Sequence, residues 1–220
     1  MSVIMEKELK KLEKMVSSIS MLVEENLKSA ILSYTNYDFK SAEEIIQKDN
    51  EIDQMEIDIE AECLKILALH QPVAIDLRYI IAILKINNDL ERIGDLTSNI
   101  CKIVLFLADK KRINTPKEIP EMTAIVSKML KSSLDALFNK DIELAKSVEE
   151  TDDKVDDLNA KMYKIVRAKL ADNSESVDQM MPQLSISRYL ERIADHCTNI
   201  AEDVEYYIDG EITRHSTLDN

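Results

Sequence analysis

The sequence predicts an all-α protein built as two tandem three-helix bundles with six long helices, and three observations carry that prediction. Apolar residues recur at helical spacing through most of the 220 residues, only 2 Gly and 4 Pro interrupt them, and one long motif occurs twice. The helical period identifies the elements. So few turn-formers cannot supply the tight connections of a β-sandwich or barrel, nor the glycine-rich phosphate loops of alternating βα units. Leu90-Glu91-Arg92-Ile93-Gly94-Asp95-Leu96-Thr97-Ser98-Asn99-Ile100 returns 100 residues later as Leu190-Glu191-Arg192-Ile193-Ala194-Asp195-His196-Cys197-Thr198-Asn199-Ile200, both copies reading L-E-R-I-x-D-x-x-x-N-I. Upstream the match continues at an offset of 103, pairing Asp38 with Asp141, Ala42 with Ala145, Asp49 with Asp152, Ile52 with Val155 and Asp53 with Asp156. Self-similarity at a fixed period marks a duplicated structural unit.

The elements follow in order. A first helix over 3–34 stops at Asn36-Tyr37-Asp38, where Asp38 can accept from the unpaired amides of the next helix. The second, over 39–69, ends before His70-Gln71-Pro72, because a proline disfavours helical geometry in the residue before it. The third spans 73–108. Residues 109–120, polar and carrying Pro116 and Pro120, read as the linker between repeats at 1–112 and 113–220. The fourth helix covers 122–138, and Asp141 caps a fifth that ends near 170, with a turn over Ala171-Asp172-Asn173-Ser174. The sixth covers 176–207, with Pro182 expected to kink it or delay its start. Gly210 stands just past its end, where a left-handed residue closes a helix.

A hydrophobic share of 45% excludes disorder. Twenty-eight Lys and Arg against 42 Asp and Glu give a net charge of −14, so the average field repels nucleic acid and anionic lipid. The longest apolar runs, 79–84 and 103–108, fall far short of the roughly 20 residues that span a bilayer. The opening Met1-Ser2-Val3-Ile4-Met5-Glu6-Lys7 has no basic region followed by an apolar core, and a cytoplasmic location is expected. Cys63, Cys101 and Cys197, widely spaced and without a C-x-x-C pair, read as small core residues in a reducing compartment.

Each repeat carries two carboxylate pairs at i, i+4: Asp49 with Asp53 and Glu91 with Asp95, then Asp152 with Asp156 and Glu191 with Asp195. Such groups lie one turn apart on one face, and like charges there destabilise a helix by roughly 0.2–0.5 kcal/mol. A cost repeated at equivalent positions points to a compensating cation. Glu56 and Glu60 continue the Asp49 stripe, and Asn87, Asn99, Ser187 and Asn199 flank the other pairs. At 100° per residue, Ile86, Ile93 and Ile100 lie opposite Glu91 and Asp95, which predicts an open acidic groove on the surface between the second and third helices of each half. Oxygen-only ligands favour magnesium, manganese, calcium or iron over zinc or copper. The alternative for any single pair is a solvated face. In the second half Asp153 with Asp157, and Glu149 with Asp153, share the spacing, so only the repeat alignment selects Asp152 and Asp156.

Enzyme readings find less support. No Glu-x-x-His motif, glycine-rich phosphate loop, G-x-S-x-G elbow or H-E-x-x-H is present; His196 lies off the acidic face, and His70, His196 and His215 read as structural or solvent-exposed. The 10 Met residues fall at core spacing.

The doubled E-R-I-x-D motif resembles that of the PhoU family of phosphate-signalling regulators. Gln71-Pro72-Val73-Ala74-Ile75-Asp76-Leu77-Arg78 is similar to the family's Q-P-x-A-x-D-L-R signature, and Gly210-Glu211-Ile212-Thr213-Arg214-His215 to its usual ending. The resemblance covers nearly the whole chain. It implies two tandem three-helix bundles and multinuclear metal clusters held by E(D)-x-x-x-D motifs, iron first, with manganese, magnesium, calcium or zinc as alternatives. Carried over by position, the ligands are Asp49, Asp53, Glu91, Asp95, Asp152, Asp156, Glu191 and Asp195. The second copy departs from the motif in having Ala194 for its glycine, and the second half lacks the Q-P-x-A-x-D-L-R segment.

The resemblance further implies a non-enzymatic regulator that represses phosphate-starvation signalling and restrains uptake. Its expected partners are the ATPase subunit of the phosphate ABC transporter and the phosphate-sensing histidine kinase. Homodimer formation and membrane association through protein partners only are also implied, with no nucleic-acid partner. Gln71, Asp76 and Arg78 are candidates for the partner surface, against the alternative that Asp76 and Arg78 cap and pair at the start of the third helix. The competing functions are an accessory protein of a different phosphate carrier and a two-metal hydrolase.

Overall fold

A computed structural model describes residues 3–172 and 176–210. It contains α1 (Val3–Asn36), α2 (Phe39–His70), α3 (Ala74–Phe106), α4 (Glu118–Asn139), α5 (Ile142–Ala171) and α6 (Val177–Asp209), with no strand among the described residues. Asn173 and Ser174 of the expected turn, and the ending from Glu211 through His215, lie outside them.

The caps behave as their residue types dictate. Asp38 accepts from the Ser41 amide at 3.1 Å, and Asp141 from the Leu144 amide at 3.0 Å. Gly210, at φ 79°, closes α6 with its N–H on the Tyr206 carbonyl. Two helix starts differ from the sequence expectation. The fourth begins at Glu118, four residues early, because Pro120 falls in its first turn, where a missing N–H removes no helical bond, and Glu118 and Glu121 suit the positive end of the dipole. The sixth begins at Val177 and runs on through Pro182. Its start is held by Gln179, whose Oε1 accepts from the Ser176 amide at 3.1 Å.

Helices α1–α3 form one bundle and α4–α6 the other, joined by residues 107–117. The two bundles meet chiefly where α3 packs along α6, with a shorter contact between α1 and α4. One continuous core runs through both, from Leu12, Ile19 and Ile52 to Ile193, Ile200 and Val204. The three cysteines are buried and free.

Arg78 ties the bundles at one end. Its Nε donates to the Tyr207 carbonyl at 3.2 Å and its Nη2 to the Ile208 carbonyl at 3.4 Å, placing a cation on the negative end of α6. A Cβ on Gly210 would lie 3.2 Å from the guanidinium carbon, so the glycine serves both the left-handed turn and this approach. Arg78→Ala is expected to cost about 1–3 kcal/mol, with Arg78→Lys recovering only part because an ammonium lacks the fork. Urea unfolding of the variants measures this.

Candidate functional site

The spacing of α2 explains where its acids go. Ile45, Ile52, Ile59 and Ile66 are buried, seven residues apart, and the companion seam positions are Ala42, Asp49, Glu56 and Cys63. Carboxylates therefore stand where a helix seam ordinarily holds hydrocarbon. In α5 the same rows are Val148, Val155 and Met162 beside Ala145, Asp152, Asn159 and Val166. Asp49, Glu91 and Asp95, with Asp152 and Glu191, are consequently half-buried between packed helices, while Asp53, Asp156 and Asp195 are exposed at the mouth of the same seams. The helical-wheel argument from Ile86, Ile93 and Ile100 placed only one side of α3, which is also buried at Asn87, Gly94 and Cys101, where α2 lies against it.

In the first repeat the four aligned acids share one seam. A Cβ built on Gly94 would sit 3.4 Å from Asp49 Oδ1, so this carboxylate rests directly against α3. Burial raises the pKa of Asp49, the Ser98 hydroxyl opposes that rise, and the charges of Asp53 and Asp95 add to it. Glu91 is raised by burial first and then by Asp95, with Asp53 and Glu56 contributing and Arg92 opposing. Arg92, between the two motif acids in sequence, pairs with both: its Nε lies 3.2 Å from Glu91 Oε2 and its Nη1 3.1 Å from Asp95 Oδ2.

The second seam repeats the arrangement. Asp152 is pushed up to about 6 by burial, followed by the charges of Asp195, Asp156, Asp153 and Glu191. Glu191 is raised by burial, Asp195 and Asp156 against Arg188 and Arg192, and Asp195 by burial and Asp156 against His196 and Arg192. Asp152 is half-buried on the seam, whereas Asp156, like Asp153 and Asp157, is exposed, so burial singles out Asp152 and leaves Asp156 to the repeat alignment. A polar link closes each seam at matching places. Asn87 Nδ2 donates to the Glu56 carbonyl at 2.9 Å, and Ser187 Oγ donates to Asn159 Oδ1 at 2.8 Å.

Asn99 and Asn199 are engaged elsewhere. Asn99 Oδ1 accepts from Lys102 at 3.0 Å, while Asn199 joins His196 on Asp89, His196 Nδ1 lying 2.8 Å from Asp89 Oδ1 across the α3–α6 junction. Sequence reasoning overlooked Arg92 and Arg192 as counterions of their own motifs, although Arg beside Glu and three residues before Asp was a readable signal.

Among the described residues no three His, Cys, Asp or Glu groups form a ready-made cation cage. Asn87 Oδ1 in the first seam and Asp152 Oδ1 in the second are nonetheless buried without a hydrogen-bond donor. Orphaned oxygens among repelling carboxylates, with neither nitrogen nor sulfur in the set, fit a hard cation. Such an ion would neutralise the acids and clamp α2 to α3, and α5 to α6.

The family model described as the PhoU domain matches the chain twice, over residues 16–104 and 119–204. The chain belongs to the PhoU family. Among its PhoU relatives, the phosphate-specific transport system accessory protein PhoU homolog 1 of Thermotoga maritima is 35% identical over 93% of this chain and 89% of that protein. The Aquifex aeolicus homolog is 36% identical over 96% of each, and PhoU of Escherichia coli 31% identical over 94% of this chain and 86% of that protein. The crystal structure of PhoU from Pseudomonas aeruginosa superposes with a TM-score of 0.90 at 32% identity, covering 94% of this chain and 99% of that one. The phosphate transport system regulatory protein PhoU from Streptococcus pneumoniae gives 0.88 at 32%, covering 94% and 98%.

The Gln71–Arg78 segment sits at the α2–α3 corner. Gln71 and Ala74 are both in the left-handed region, at φ 46° and 52°, a conformation that costs a non-glycine residue about 1–2 kcal/mol. Gln71 is exposed and its N–H closes α2 on the Leu67 carbonyl. Asp76 lies in the first turn of α3, and Arg78 is held on α6 as described. Beside them Leu69, Val73, Ile75 and Leu77 are exposed, Val73 by 73%. Among the described residues no helix is long and apolar enough to cross a membrane.

Proposed function

We propose that this protein is a non-enzymatic, cytoplasmic regulator of phosphate uptake, which represses phosphate-starvation signalling by linking the ATPase subunit of a phosphate ABC transporter to a sensor histidine kinase. The observation that carries the reading is the double PhoU-domain match, together with more than 90% coverage by accessory proteins of phosphate-specific transport systems. The two acidic seams would hold clusters of hard cations, iron first, on Asp49, Asp53, Glu91 and Asp95 and on Asp152, Asp156, Glu191 and Asp195. Bound metal would fix the helices of each bundle. The α2–α3 corner would face the transporter or the kinase, because it combines backbone strain with a cluster of exposed apolar side chains, which mark interaction sites more often than scattered ones do. Its contact residues would be Leu69, Val73, Ile75 and Leu77 with Gln71 and Asp76, while Arg78 supports them from behind.

Deleting the gene is expected to raise phosphatase expression in phosphate-rich cells, and unchanged expression would count against the regulator. Complementation with Leu69→Ser, Val73→Ser, Ile75→Ser tests the corner: repression and co-purification with the ATPase subunit or the kinase should fall together while the variant remains folded. Full repression and undiminished capture of both proteins would place the partner surface elsewhere.

A further inference from the structure

One turn before Asp152, α5 carries Glu149, and α6 carries Glu202 and Glu205. The repeat offsets align Glu149 with Ile46 and Glu205 with Leu105, so two carboxyls occupy places that the first repeat fills with hydrocarbon packed on the core. Glu205 is only 6% exposed, and Glu149 is half-buried. The Oε1 atoms of both are buried with no hydrogen-bond partner, and the two carboxyls lie near enough for each to shift the other's proton affinity. Two ionised carboxylates cannot share such a contact, and one of them must be protonated for it to hold.

We propose that Glu149 and Glu205 form a proton-operated contact between α5 and α6, built into the second repeat alone. With the proton in place, the carboxylic acid of one donates to the carboxylate of the other and the helices stay closed. When the O–H bond ionises, the proton passes to solvent buffer and two buried carboxylates oppose each other at that level of the bundle. The contact involves none of the eight motif acids and requires no cation.

The surroundings leave the pair undercompensated. On α6, Glu202 faces Glu149 and both Glu202 and Asp209 face Glu205, with Lys146 on α5 the opposing cation. From α4, Lys131 and Asp135 turn to each other and towards Glu24 of α1. From α3, Lys85 pairs with Asp203, and Asp89 with His196. Burial, then the charges of Glu205 and Glu202, push Glu149 up to about 7. Between its ordinary value of 4.5 and that point the folded chain holds a proton that the unfolded chain has lost, so the contribution to stability falls as pH rises through this window and is gone above it.

The test is urea unfolding of the full chain in chelator from about pH 5 to about pH 8, beside Glu149→Gln and a double variant, Glu149→Ile with Glu205→Leu, that copies the first repeat. The wild-type midpoint should fall relative to both variants as pH rises to about 7 and then level off, the double variant being the more stable at the alkaline end. A carbon NMR titration of the Glu149 carboxyl should give a midpoint close to neutrality. A midpoint difference that is constant over the whole range, or a Glu149 carboxyl that titrates like an ordinary glutamate, would overturn the proposal.

Discussion

Free manganese at a hundredfold excess over its dissociation constant is expected to stabilise the metal-free chain by about 2.7 kcal/mol for each seam that binds it. For a chain of this length that is a rise in melting temperature of about 5–11 °C per seam. Glu91→Gln with Asp95→Asn should remove the first seam's share, and Glu191→Gln with Asp195→Asn the second's, leaving the other intact. The amides keep the shape of the acids but supply neither the charge nor the second anionic oxygen that a hard cation requires. Thermal melts with chelator and with manganese measure it. An undiminished rise in a variant lacking both pairs would place the cation outside the seams.

The second large effect concerns how closely the seam helices approach. A Cβ on Gly94 would lie 3.1 Å from Ile52 Cδ1 and 3.3 Å from Ile52 Cγ2, so Gly94→Ala makes the fully buried Ile52 side chain, or α2 with it, give by a few tenths of an ångström. Overpacking of this kind costs about 1–3 kcal/mol, partly offset by about 1 kcal/mol of helix propensity. The second repeat solves the same problem with Ala194 against Val155, both fully buried, one carbon having moved from one helix to the other. Ile52→Val removes Cδ1 and should cost about 0.5–1.5 kcal/mol alone, yet relieve the clash when combined with Gly94→Ala. The double variant is therefore expected to be more stable than the sum of the single changes by about 1–3 kcal/mol in a urea double-mutant cycle. Strict additivity would mean that the two side chains do not compete for one space.

Much of the fold is written locally. Asp38, Asp141 and Gly210 mark helix ends through their own hydrogen bonds and backbone preferences, and the repeated motif fixes which acids correspond. Features that depend on packing between helices were harder to read. Pro120 looks like linker until its position in a first turn makes it harmless to a helix. A single wheel for α3 gave one buried side, whereas a helix in contact with α1, α2 and α6 is buried on several, and this drew Asp49, Glu91, Asp152 and Glu191 into half-buried seams while Asp53, Asp156 and Asp195 stay exposed. The signal was present in α2, where Asp49 and Glu56 fall in register with Ala42 and Cys63 beside a strict row of isoleucines. Arg78 showed its attachment to α6 only once the two ends of the chain were placed together, because 129 residues separate it from Tyr207.

Elemental analysis of the chain purified without chelator, beside the Glu91→Gln, Asp95→Asn and the Glu191→Gln, Asp195→Asn variants, tests the seams most directly. Two equivalent cation sites predict iron, manganese or a similar ion in the wild type, about half of that content in each variant, and cooperative unfolding of all three proteins. Equal metal content in the three, or a wild type that carries no metal and does not respond to its addition, would contradict the assignment of these carboxylates as ligands.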